Sequence, residues 1–154
     1  MVSSPLDPEV RDFLQQSMVA LVATRSLNGR PFMTPLWFVA DGPTLVIATA
    51  AESWASRNVS RHPDLALLFS GERSGRPDRV LRLRGTATVQ RGLPPWRVLL
   101  RVVLKYYLAP AALVAELRHV RQWRLRSRYY AQAKGGPVHL RVVPTTAEFL
   151  SRPD

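Results

Sequence analysis

The chain has no cysteine, which excludes disulfides, thiolate-bound zinc, iron–sulfur ligation and a cysteine nucleophile. Long apolar runs are missing as well. The longest stretch without Asp, Glu, Lys or Arg covers residues 13–24, well short of the ~20 apolar residues that cross a bilayer as a helix. Histidines are few: His62, His119 and His139 are scattered over three segments, with none of the spacing a metal site needs, so no metal is expected. No Ser/His/Asp set or carboxylate pair emerges, and Gly71-Glu72-Arg73-Ser74-Gly75 lacks the Gly-Lys-Ser/Thr ending of a phosphate loop. The first residues carry Asp7, Glu9 and Asp12 and no basic segment, which argues against a secretory signal. A cytoplasmic location is the expectation.

What the chain does have is basic charge, unevenly placed. Of 154 residues, 22 are Arg or Lys and 11 are Asp or Glu, for a net charge of +11, and only Lys105 and Lys134 are lysine. Residues 1–90 hold 10 basic and 8 acidic side chains, whereas residues 91–134 hold 10 and 1. The length suits one domain over residues 1–154, and 13 prolines exclude a long continuous helix or coiled coil.

Hydrophobic patterning predicts a mainly β chain. Asp7-Pro8-Glu9 is a helix start with Pro at its first position, and the helix should run to about Gln15. Strands are predicted over Val19–Arg25, Pro31–Ala40, Thr44–Thr49, Leu65–Phe69, Arg79–Gln90 and Val138–Val143, the last closed by Pro144. Ala147–Leu150 could extend or cap that last strand, and Asn28-Gly29 and Asp41-Gly42 supply tight turns. Glu52–His62 reads as a short helix, Gly71–Asp78 as a loop and Gly85 as a bulge. Residues 93–133 interrupt this with two or more helices, the first opened by Pro94-Pro95, and Gly135-Gly136 closes the set. On that first helix Arg97, Arg101 and Lys105 recur every fourth residue, while Trp96, Leu99, Leu100, Val103, Leu104 and Tyr107 spread around the remaining circumference.

The ordered set Val22-Ala23-Thr24, Asn28-Gly29-Arg30-Pro31, Thr34-Pro35-Leu36-Trp37-Phe38-Val39, Asp41-Gly42, Ala48-Thr49, Ser53, Arg57-Asn58 and Pro63 resembles the pyridoxamine 5′-phosphate oxidase-like split β-barrel family, including its flavin- and deazaflavin-dependent reductases. The resemblance spans about residues 10–90 and resumes at residues 138–144; residues 93–133 lie outside the usual pattern. It implies an α+β chain built on a six-stranded antiparallel Greek-key split barrel, with a short N-terminal helix and a helical insertion before the last strand. It also implies a homodimer with cofactor sites along the interface. Carried over residue by residue, Met33, Thr34, Pro35, Leu36 and Trp37 would lie beside the ring system. Thr49 would lie near the ribityl and phosphate portion, Ser53 would begin the phosphate-binding turn, and Arg57 and Asn58 match a recurring pair on the short helix. The family commonly continues this turn as Ser-Arg-Lys, whereas here it is Ser53-Trp54-Ala55. Two charge-assisted hydrogen bonds, each worth about 1.5–3 kcal/mol, are thereby lost for FMN.

Each of these residues also has a plainer reading. Trp37 could be a core or interface aromatic, Thr34-Pro35 a strand-edge kink, Ser53 only a helix cap, and Arg57 and Arg61 solvated. The basic helices could close over an anionic cofactor or substrate, F-420 with its oligoglutamate tail being better complemented than FMN. They could instead touch anionic lipid through residues 93–133, or pack on the barrel with their arginines in solvent. The broad apolar helix face argues against nucleic acid. The functional expectation is a homodimeric oxidoreductase in which FMN or F-420 passes a hydride to a small unsaturated molecule, with no catalytic side chain assigned. The alternative is a non-catalytic barrel that has lost its phosphate contacts and holds a tetrapyrrole or acyl-type ligand.

Overall fold

The computed structural model describes residues 2–5, 7–75, 78–107 and 135–151. In chain order the elements are β1 (Val2–Ser3), α1 (Pro8–Gln16), β2 (Ala20–Arg25), β3 (Pro31–Leu36), β4 (Phe38–Asp41), β5 (Thr44–Ala50), α2 (Trp54–Val59), β6 (Asp64–Phe69), β7 (Arg79–Arg91), α3 (Trp96–Tyr106) and β8 (Pro137–Ser151). The strands form one eight-stranded sheet with the path β3-β2-β6-β7-β8-β5-β4, and β1 adds to β8. Every pairing is antiparallel.

The two ends of that path are consecutive in sequence. β3 and β4 are separated only by Trp37, so the sheet curls until its edges meet at one residue, and the chain itself bridges the split. Among the described residues this corrects the expected six strands to eight. Pro31–Ala40 is not one strand, because β3 pairs with β2 and β4 pairs with β5. The two-residue β1 was not anticipated.

The last strand also runs further than expected, straight through Pro144 to Ser151. Proline is tolerated there because the ladder is already broken: Arg84 pairs with Thr146 but Gly85 pairs with Pro144, leaving Thr145 as an extra residue. Thr145 Oγ1 donates to the Arg84 carbonyl at 3.1 Å. Gly85 is required at this bulge, since a Cβ on it would stand 2.3 Å from the Val143 carbonyl oxygen.

Inside the curl lies the main core. α1 closes one end with Val10, Phe13 and Leu14 at the i, i+3, i+4 spacing of an amphipathic helix. Asp7 caps it as expected, although its carboxylate accepts from the Ser4 N–H at 2.9 Å and not from the helix. α2 contributes Ala55 and Val59 to the same core. β4 and β5 are buried on both faces: Phe38, Leu45 and Ile47 point into the main core, while Val39 and Val46 meet Val98 and Tyr106 of α3 in a second cluster. That second covering explains the unbroken apolar run Leu45-Val46-Ile47.

α3 is the first helix expected in the insertion, and it opens at Pro95. The further helix expected within residues 93–133, and His119, lie outside the described residues. No helix among the described residues is long and apolar enough to cross a membrane.

Candidate functional site

The residues singled out around Thr49 and Ser53 come together at one corner of the barrel, where the end of β5 turns into α2 and faces β2 and β3. Ser53 is the N-cap of α2: its Oγ accepts from the Ser56 N–H at 3.1 Å and from the Thr49 hydroxyl at 2.9 Å. Ser53 therefore does cap α2. Asn58 is buried, and its amide donates to Thr24 Oγ1 at 3.0 Å, fastening α2 to β2. Asn58 thus serves packing, and its partner Thr24 gave no separate signal in the sequence.

The Ser53-Trp54-Ala55 turn divides by orientation. Ala55 has no exposed surface and belongs to the main core, so a lysine side chain at this position would start inside the barrel. Trp54 points outward, is 52% exposed, and stacks on Phe32 of β3 with ring centroids 4.8 Å apart. Arg57 lies over the same indole, its guanidinium carbon 4.8 Å from the ring centre. A guanidinium over an indole face is held by the ring quadrupole. Arg57 is exposed but not simply solvated, and it is the cation nearest in sequence to Ser53 on α2. Phe32 was missed in the sequence, although Thr34 and Leu36 on the same face of β3 were named.

β3 ends the sheet path, and along its outer edge it has no strand partner among the described residues. Pro31, Met33 and Pro35 are exposed, while Phe32, Thr34 and Leu36 are half-buried. Leu36 packs against the core. A free strand edge offers backbone hydrogen-bonding groups to a planar polar ligand, with exposed side chains beside them.

Trp37 is placed differently. It packs beside the second cluster, and one face is covered by Tyr106 at 4.5 Å, nearly parallel, with Tyr107 edge-on at 6.3 Å. α3 therefore occupies a surface that a cofactor ring would need for stacking on Trp37. Tyr106 is a second residue that sequence reasoning missed. Its hydroxyl accepts from the Phe38 N–H at 3.0 Å, and its proton lies between the carbonyls of Met18 at 2.8 Å and Phe38 at 2.7 Å. Burial pushes its phenol up to about 12, opposed by the hydrogen bond to Phe38. The signal was the spacing Val98, Val102, Tyr106, one residue per turn on the face opposite the more conspicuous leucines.

The basic stripe on α3 is not uniformly solvated. Arg97 is exposed. Arg101 bonds Asp41 at 2.8 Å and the Ala40 carbonyl at 2.9 Å, and Asp41 is shared with Arg141 at 3.4 Å. Lys105 is largely enclosed: its ammonium sits 3.6 Å over the Phe38 ring and donates to the Leu14 carbonyl at 3.3 Å. Burial brings its pKa down to about 7, with Glu72 pulling it up and Arg73 pushing it down. By contrast Leu93, Trp96, Leu100, Val103 and Leu104 remain exposed among the described residues.

The sequence matches the family model for pyridoxamine 5′-phosphate oxidase over residues 6–147. The chain belongs to this family. Solved structures share the family fold over nearly the whole chain. An F420 reductase is 20% identical with a TM-score of 0.63, covering 90% of this chain and 94% of its own. A conserved hypothetical protein from Mycobacterium tuberculosis is 19% identical with a TM-score of 0.63, covering 94% of this chain and 84% of its own. A haem storage protein from Vibrio cholerae is 13% identical with a TM-score of 0.61, covering 95% and 94%. At these identities the likeness establishes the fold alone. No curated protein matches the chain by sequence.

Proposed function

We propose that the chain is an oxidoreductase that uses a flavin or deazaflavin, F-420 in preference to FMN, to reduce a small unsaturated molecule at a site completed by a second copy. The observation that carries this reading is the free edge of β3 running beside the corner that holds Thr49 and Ser53, with Met33 and Pro35 exposed along it. Those groups suit the ring edge and the hydroxylated chain of such a coenzyme. When bound, the coenzyme supplies the hydride. The chain's part is to fix the ring along β3, to meet the ribityl hydroxyls with Thr49 and Ser53, and to place Arg57 as the cation on α2. Preference for F-420 follows from the turn, where the outward-facing Trp54 stands in place of a cation for the FMN phosphate.

The reading is tested by titrating the protein with F-420 and with FMN, then following oxidation of reduced F-420 on adding an unsaturated acceptor. F-420 should bind at least about 10-fold more tightly than FMN, one lost cation contact being worth that much. Failure of both coenzymes to bind at about 100 μM, a free energy weaker than about −5.5 kcal/mol, would remove the proposal.

The non-catalytic reading is favoured by the same turn, whose aromatic Trp54 and Phe32 pair could support an apolar ligand, and a haem storage protein shares the fold. His139 does not strengthen a haem role. One ring nitrogen lies 3.1 Å from the Gly92 carbonyl and the other 2.8 Å from Gln90 Oε1, so both are engaged within the barrel. Haem titration in parallel separates the two: tight haem binding with no affinity for either coenzyme selects the alternative.

A further inference from the structure

A groove of about 510 Å³ lies between α1, β4, α3 and the loop at residues 70–75, and shares no residue with the α2 corner. Its volume falls in the range of small-molecule sites. Leu14, Val39 and Leu104 form apolar walls, and Arg73, Arg101 and Lys105 supply cations. The loop is fastened beneath it: the Arg73 N–H donates to the Gln16 carbonyl at 3.0 Å, and the Gly71 N–H donates to Ser17 Oγ at 3.1 Å.

The charges around this groove are out of balance. Arg101 is matched by Asp41. The Glu72 carboxylate acts on Lys105 electrostatically but already accepts the Met18 N–H at 2.7 Å. Arg73 makes no ion pair among the described residues. Lys105 has three donors and makes one hydrogen bond among the described residues, a long one. Three cations thus stand against two carboxylates, and of the three Lys105 is the one held in apolar surroundings, where a buried ammonium ordinarily has a directly bonded anionic partner. Burial lowers the pKa of Lys105 further than the nearby Glu72 raises it.

We propose that this groove binds a small amphiphilic carboxylate, its head between Arg73 and Lys105 and its apolar body along Leu14, Val39 and Leu104. Binding recharges Lys105, so a proton is taken up above neutrality. The charges that act on this lysine are Glu72 and Arg73 from the loop; Tyr106 of α3 lies beside it, and Arg101 lines the same groove already paired with Asp41 of β4.

The test is calorimetric titration of the full chain with decanoate at pH 8, in two buffers of different ionisation enthalpy. Decanamide, tetraglutamate and phosphatidylglycerol vesicles serve as comparison ligands. Saturable 1:1 binding of decanoate is expected, at least about 10-fold tighter than decanamide. The heat should differ between buffers because of proton uptake, and this difference should vanish in Lys105→Met. Arg73 and Leu104 are exposed, so Arg73→Met and Leu104→Glu test the site without touching the core. The first should weaken binding about 10-fold and the second abolish it. No saturable decanoate binding, unchanged binding in both exposed variants, tighter binding of tetraglutamate, or binding confined to vesicles would each overturn the proposal. None of these outcomes bears on coenzyme binding at the α2 corner.

Discussion

Two helices are laid against the same curled sheet, and they treat charge in opposite ways. α2 sits where the family resemblance places the phosphate end of a cofactor, yet its turn offers hydroxyls, an outward indole and a buried Ala55, with Arg57 as its single cation. α3 lies in the stretch where the sequence resemblance lapses, although the family match runs across it, and it carries Arg97, Arg101 and Lys105, of which two are held by internal partners. A count of charges along the sequence therefore does not locate free cations. The +9 of residues 91–134 is in part a set of ties that fix α3 to β4 and α1.

The largest effect should come from breaking the α3 tie. Tyr106→Ala removes the ring stacked on Trp37 together with the hydroxyl that serves Met18 and Phe38. A loss of about 3–5 kcal/mol is expected by urea denaturation, against about 1–3 kcal/mol for Tyr106→Phe, which only orphans the buried backbone groups. Equal losses would mean that the hydroxyl carries the whole effect and the ring stack none.

At α2 the contrast between neighbouring positions can be sharpened. Ala55→Lys places an ammonium in the barrel core and should lower stability by about 3 kcal/mol or more without creating a phosphate contact. Trp54→Arg starts from an exposed position and should leave stability within about 1 kcal/mol while raising FMN affinity roughly 10-fold. An Ala55→Lys protein that is stable and binds FMN better would show that the turn is oriented otherwise.

How much of this was legible beforehand depends on whether the determinants were local. The turns, α1 and α2 followed from caps and prolines, and the Gly85 bulge from one glycine in an alternating run. The break at Trp37 left no local mark, since Pro31–Ala40 is apolar enough throughout to pass for one strand. Closure of the sheet divides it there. Pro144 looked like a stop because Gly85, its partner across the broken ladder that removes the need for an N–H, lies some 59 residues away in sequence. In α3 the leucine-rich face drew attention, whereas the buried stripe is Val98, Val102 and Tyr106. The distinction rests on which side β4 approaches.

A further effect concerns pH. Lys105 has a folded pKa near 7 against an ordinary 10.5, so between those values the unfolded chain holds more protons and stability should rise with pH. Tyr106 is raised from 10.0 to about 12, so over that interval the folded chain holds more protons and stability should fall. Lys105→Met should flatten the rise from pH 7 to 10 and leave the fall above pH 10. Denaturation midpoints across this range check both signs, and an unchanged rise in the variant would assign it to another group.

The most direct test of the functional account is the visible absorption spectrum of the protein purified from a host that makes both flavins and deazaflavins. The account predicts a bound deazaflavin or flavin chromophore in substoichiometric or full amount, displaced by added F-420. A colourless protein that takes up neither coenzyme, or one carrying a haem band, would contradict it.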